Sequence, residues 1–306
     1  MKEKTCLVIV GPTAVGKTGL AIDLAQNLNT SIVSADSRQC YKELNIGVAK
    51  PSDSQLNTTP HYFINSHSIQ EEVNAKIFES YALNISNQLF EKNGIILLVG
   101  GTGLYVKSFL EGLDAMPEVD PEIIQKISQQ YQSKGLEWLQ AELKKVDTLF
   151  FNNGEISNPH RALRALSFKV STGKSILEFR SGLKKDRPFN ILKIGLELPR
   201  DLLITNINQR IEEMISDGLI NEVESLLPYK QLTALQTVGY KELFDFFENK
   251  ISKQQAIEKI RVNTRQYAKR QMTWFKKETD INWIEMTSPK ELIYQKIQAL
   301  LSKFKT

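Results

Sequence analysis

Apolar positions along the first hundred residues alternate between two periods. The runs "CLVIV" (6–10), "TSIVSA" (30–35) and "GIILLVG" (94–100) have strand length and little polar face, as strands covered on both sides do. Between them lie an amphipathic stretch, "TGLAIDLAQNL" (18–28), and a mixed one, "KIFESYALNISNQLFEKN" (76–93), both of helical length. Strands alternating with helices predict an α/β protein with a parallel, doubly wound sheet. From "MPEVDPEIIQKI" (116–127) the strand signal stops, and helical patterns such as "DPEIIQKISQQYQSKGLEWLQAELKKV" run on to about Asn190. "ILKIGLEL" (191–198) then restores the sheet pattern, helices follow it, and the chain after Trp283 reads as a short strand and a closing helix. The expected organisation is a sheet core in two parts, 1–117 and 191–306, interrupted by a helical insertion at 118–190. "GLIN" and "TSPKEL" read as turns or helix starts.

The first strand leads straight into "GPTAVGKT" (11–18), a glycine-rich turn ending in Lys-Thr before a helix, which is the form of a P-loop. Gly11, Pro12, Thr13, Ala14, Val15, Gly16, Lys17 and Thr18 are therefore the expected phosphate or diphosphate site. Backbone N–H groups would approach phosphate oxygens, Lys17 would add a charge, and the Thr18 hydroxyl would ligate Mg²⁺. In a parallel sheet the carboxyl ends of the strands share one edge. Asp36, in "SADSRQCY" (34–41), and Thr102, in "LLVGGTGLY" (97–105), should emerge beside the loop. Either could instead be an ordinary turn or cap residue. The strand "GIILLV" ends in Gly100-Gly101 where a nucleotide-hydrolysing P-loop protein would place a magnesium-holding acid. Asp36 as a general base across the phosphate cradle suits group transfer better than hydrolysis.

Composition narrows the classes. The chain has 306 residues, a net charge of +4, two cysteines (Cys6 and Cys40) without metal-ligand spacing, and three histidines, so zinc chemistry is not expected. No stretch approaches the ~18 apolar residues of a membrane span, and a cytoplasmic, monomeric protein is expected. The positive charge is clustered: residues 157–187 hold eight Lys/Arg against two acids, and 261–277 hold six with no acid. Solvated helix faces would look the same, but two such runs favour a polyanionic partner. In "IRVNTRQYAKRQMTWFKK" (260–277), Arg261, Arg265 and Lys269 recur at i, i+4 and i+8, a positive stripe suited to phosphates, while Tyr267 and Trp274 are expected in the core. A small-molecule P-loop kinase would explain the loop without needing the basic insertion. A nucleotide-gated RNA-binding protein would explain the stripes but leave Asp36 without a role.

Taken in order, "GPTAVGKT", "SADSRQCYKELNIGVAKP", "GGTGLY", "NPHRALRAL", "VGYKEL" and "TRQYAKRQMTWF" resemble the tRNA dimethylallyltransferases, the isopentenyl-diphosphate:tRNA transferase family, over about residues 7–285. The resemblance implies that the P-loop holds the diphosphate of dimethylallyl diphosphate rather than a nucleotide. It also implies that the adenosine 3′ of the anticodon is the acceptor in the tRNA anticodon stem-loop. By position, Asp36 matches the family's general base, and Asp36, Ser37, Arg38 and Gln39 its tRNA-contacting loop. Thr102 matches a threonine on the target nucleotide. His160, Arg161, Ala162, Leu163 and Arg164 match a basic segment gripping the anticodon arm, and Arg210, in "NQRIEEM", matches an active-site arginine. Eukaryotic relatives often carry a zinc finger after this point, so the chain resembles the bacterial form. It departs from the family at Val48 (usually Thr), at Tyr62 and Asn65 in "PHYFINS", at Ile124 and Ser167 (usually basic and Glu), and at Asn206 (usually Arg). None of these departures is expected to touch the P-loop, Asp36 or Thr102.

Overall fold

The computed structural model describes residues 4–304. The chain forms two compact units, one built from the residues up to Glu111 and those from Asp186 on, the other Gly112–Lys185, so the insertion begins and ends a few residues earlier than 118–190. Among the described residues no helix is long and apolar enough to cross a membrane.

The first unit begins with β1 (Thr5–Val10), α1 (Lys17–Asn27), β2 (Ile32–Ser34), α2 (Asp53–Thr58), β3 (His61–Tyr62), α3 (Ala75–Lys92), β4 (Ile95–Gly100) and α4 (Gly103–Glu111). The second holds α5 (Pro121–Val146), α6 (Thr148–Asn153) and α7 (Pro159–Thr172). The chain then returns with β5 (Asn190–Glu197), α8 (Arg200–Ser216), α9 (Leu219–Ser225), α10 (Tyr240–Phe247), α11 (Lys253–Phe275), β6 (Asn282–Glu285) and α12 (Lys290–Ser302). All strand pairs are parallel, in the order β3-β2-β4-β1-β5-β6. The four long apolar runs are β1, β2, β4 and β5. The two-residue β3 has no apolar run, and the sequence pattern did not predict it.

Alternation along β1 sends Leu7 and Ile9 into a core with Leu20, Leu24 and Ile297 from α1 and α12. Cys6, Val8 and Val10, equally buried, face the opposite side. Covering both faces is what a parallel sheet needs. Because β1 lies between β4 and β5, the segments leaving β1, β2 and β4 gather at one edge, where a doubly wound sheet binds its ligands.

The insertion has its own core, including Leu139, Leu143, Phe150, Ala165 and Phe168. Asp120 and Asn158 cap α5 and α7, each with a proline at the helix start, and α5 is broken at Gly135, whose φ of 77° ends one helical run and lets another begin. Arg187, counted in the basic run, lies outside this unit. Its guanidinium pairs with Glu79 at 2.9 Å, both side chains under 10% exposed, so it is not a surface charge.

Candidate active site

The loop between β1 and α1 has the conformation its glycines predict. Gly11, at φ 151°, passes so close to Leu196 that a Cβ would lie 2.7 Å from that carbonyl oxygen, and Gly16, at φ 98°, turns the chain into α1. Lys17 folds back over its own loop and donates to the Gly11 and Pro12 carbonyls at 3.0 and 2.7 Å. Burial and then the Arg210 charge push the Lys17 ammonium down to about 7, with Asp36 opposing them. Arg210, on α8, reaches the Thr13 hydroxyl at 3.4 Å, which places it beside the loop as the resemblance implied. Pro12, Ala14 and Val15 are buried, so at these positions the loop has backbone rather than side chain to offer a ligand.

Asp36 follows β2 on the same edge. Its Oδ1 accepts from the Arg38 and Gln39 N–H groups at 2.8 and 3.2 Å, the cap its position suggests, while Oδ2 takes no protein hydrogen bond among the described residues. The cap thus occupies one oxygen of the carboxylate and leaves the other without a protein partner among the described residues. Thr102 holds this turn in place: its Oγ1 accepts from Ser37 N at 3.1 Å and its N–H donates to the Ala35 carbonyl at 3.2 Å. Gln39, read as a tRNA contact, has its side-chain amide engaged internally, donating to the Val48 and Ala49 carbonyls and accepting from Ser34.

Lys17, Thr18, Asp36, Ser37, Arg38 and Arg210 line a cavity of about 760 Å³ that residues of α8, α10 and α11 also line. Two departures from the family pattern border this site, and one of them, Asn206, touches the phosphate loop, contrary to expectation. Val48 lines the cavity, and Asn206 donates to the Ala14 carbonyl of the phosphate loop at 3.2 Å. Asn65 instead accepts from Lys50 at 2.5 Å, Tyr62 lies in β3, Ser167 is buried in α7, and Ile124 is exposed on α5.

Helix α11 differs most from its sequence reading. Ala256, Ile260, Ala268, Gln271 and Phe275 face inward. Lys259, Asn263, Gln266, Tyr267 and Arg270 line the cavity, roughly half a turn around from Arg261, Arg265 and Lys269, which do not. Arg261 pairs with Glu212 and Glu258, and Arg265 with Glu258, so two of the three predicted phosphate contacts already have carboxylate partners. Tyr267 is in the cavity wall rather than the core. Burial and the Asp36 charge push its phenol up to about 12, against a hydrogen bond with Thr102. Trp274 is 36% exposed, its indole packed beside Gly103, so neither aromatic is a core residue. Gln271, missed in the sequence, joins the Thr13 N–H to the Gly101 carbonyl. Glu222, also missed, accepts from the N–H groups of Asn45, Ile46 and Gly47 and from the Tyr240 hydroxyl, holding the segment that ends at Val48. A strand-to-strand reading could not have found either residue, since both act through backbone far away in sequence.

In the insertion, His160, Arg161 and Arg164 are exposed on the first turns of α7. Arg161 pairs with Glu155, and the Arg164 guanidinium lies 3.6 Å from the Met116 sulfur. Ala162 is fully buried and Leu163 packs against the insertion core, so their side chains stabilise the helix rather than face a partner.

Comparison with known proteins bears on this geometry. Residues 39–278 match the sequence profile described as IPP transferase. The tRNA dimethylallyltransferase of Cytophaga hutchinsonii is 42% identical to this chain over 299 residues, 97% of the chain and 98% of the relative. That of Flavobacterium psychrophilum is 44% identical, over 91% of the chain and 93% of the relative. Among solved structures, the tRNA isopentenylpyrophosphate transferase of Bacillus halodurans aligns with a TM-score of 0.73 at 31% identity, covering 99% of this chain and 97% of that one. A eukaryotic dimethylallyltransferase acting on tRNA aligns with a TM-score of 0.76 at 25% identity, covering 92% and 74%. With the profile matched over most of its length and relatives above 40% identity from end to end, the chain belongs to the IPP transferase family.

Proposed function

We propose that this chain transfers the dimethylallyl group of dimethylallyl diphosphate to the exocyclic amine of the adenosine 3′ of the anticodon in tRNA, giving isopentenyladenosine, as a monomer in the cytoplasm. The observation that carries the reading is that the phosphate loop and Asp36, whose Oδ2 takes no protein hydrogen bond among the described residues, line one cavity. The amine is a weak nucleophile because its lone pair is delocalised into the ring. As it attacks the allylic carbon, the new C–N bond forms, the C–O bond to diphosphate breaks, and Asp36 Oδ2 takes the amine proton. Lys17, Arg210 and the loop N–H groups stabilise the departing diphosphate. The target base would leave the loop stack to enter the cavity.

Among the described residues no three His, Cys, Asp or Glu side chains form a metal cage. A Mg²⁺ ion that keeps its waters and binds diphosphate oxygens needs only one or two protein oxygens, and Thr18 and Asp36 line one narrow recess beside Lys17. Thr18 would hold the ion, which supplies Lewis-acid neutralisation of the leaving group.

Incubating the protein with labelled dimethylallyl diphosphate and bulk tRNA, in parallel with labelled ATP and the same tRNA, tests the reading. Label should enter tRNA from the first donor only. Phosphoryl transfer from ATP, or nucleotide binding with no transfer from either donor, would overturn it.

A further inference from the structure

The β1–β4 ladder ends at the pair Val10↔Gly100, and the β2–β4 ladder at Ser34↔Val99. Beyond those pairs the sheet no longer sets the spacing of the three segments that carry the chemistry. Gln271 provides the next cross-link. Its side chain, on α11, is 6% exposed; Oε1 accepts from the Thr13 N–H at 2.8 Å, and Nε2 donates to the Gly101 carbonyl at 2.9 Å. Gly101 leaves room for it, since a Cβ there would stand 2.1 Å from Nε2. The connection continues through Thr102, which bonds Ala35 and Ser37 on either side of Asp36. One buried amide therefore links the loop that would carry the electrophile to the turn that steadies the base.

We infer that Gln271 is a positioning residue for the transfer reaction, setting the separation between the diphosphate loop and the Asp36–Thr102 turn; this rests on the function proposed above. Gln271 borders the cavity, but both polar ends of its side chain are taken up by the Thr13 N–H and the Gly101 carbonyl. It acts on the reacting distance, where a shift of about 1 Å costs on the order of 10²-fold in rate. A residue that merely packed α11 against the core would change stability and affinity without selectively changing the chemical step.

Gln271→Met keeps the length and volume of the side chain and removes both hydrogen bonds. The single-turnover rate at saturating dimethylallyl diphosphate and tRNA should fall by about 10- to 100-fold. The dissociation constants of both substrates should change by less than about threefold, and the melting temperature should move by only a few degrees. Gln271→Asn, one methylene shorter and able to reach only one of its partners, should give an intermediate rate and carries the test if the Met variant does not fold. A wild-type rate in either variant, a loss confined to donor affinity, or a loss that follows thermal stability would overturn the inference. If the wild-type protein itself transfers no label, the proposed function fails and the inference with it. If wild type transfers and the Met variant keeps pace, only the role of Gln271 fails.

Discussion

The phosphate loop and helix α11 line one cavity, the loop marked in the sequence by its glycines and one lysine, the helix by cationic residues at regular spacing. In the loop that marking leads to a turn that borders the cavity: Gly11 and Gly16 take the backbone angles only glycine adopts easily, and Lys17 bends back over the loop. In α11 it leads to a face that does not line the cavity. Arg261 and Arg265 turn toward Glu212 and Glu258, and the cavity instead meets Lys259, Asn263, Gln266, Tyr267 and Arg270. The loop's own turn is set by its glycines and Lys17 within eight positions, with Asn206 and Gln271 bonding it from far along the chain. A 23-residue helix presents charge on several sides, and only its neighbours determine which side faces the ligand.

The strongest test of the loop side is Asp36→Asn. The Asn oxygen can accept from Arg38 and Gln39 as Oδ1 does now, so folding and substrate affinity should persist. Single-turnover transfer should slow by roughly 10²- to 10⁴-fold, because only the proton acceptor is lost. A wild-type rate would reduce Asp36 to a cap. Lys17→Ala should cost about 10²-fold and act differently, weakening the binding of dimethylallyl diphosphate as well as slowing transfer, since its charge meets diphosphate in both ground and transition states. Isothermal titration of the variant with the donor separates the two effects.

The same lysine predicts a pH effect. Its protonated form binds diphosphate, and in the free protein it titrates near 7, so donor affinity should be highest below that value and decline as pH rises through it. A titration series from pH 6 to about 9 would show this, and a flat profile would mean that Lys17 stays charged throughout.

The α11 comparison can be sharpened with salt. Removing Lys259 and Arg270 together should shallow the slope of log tRNA affinity against log salt by about 1 to 2 units. Removing Arg164 from the insertion should shallow it by about 1 unit if that residue meets a phosphate, while Arg161, already paired with Glu155, should add little. Removing Arg261 and Arg265, already paired with carboxylates, should change the slope by less than about half a unit. If the last pair gave the largest change, the stripe read from the sequence would be the RNA-facing one.

The sequence alone determined the long strands, the helices between them, the interruption of the sheet by a helical segment, and the phosphate loop with Asp36 near it. These are set by short-range periodicity, glycine conformation and the shared edge of a parallel sheet. It also carried family membership, because the spacing of its motifs survives without knowledge of the fold. Only the tertiary structure decided which face of α11 lines the cavity, that Tyr267 is a wall residue, and that Arg187 is buried against Glu79. It alone showed that Asn206 and Gln271 bond the phosphate loop from positions some 190 and 260 residues away. Each of these depends on which partner lies opposite a side chain after the chain has closed on itself, and hydrophobic period, charge count and local turn chemistry carry no information about partners so distant in sequence.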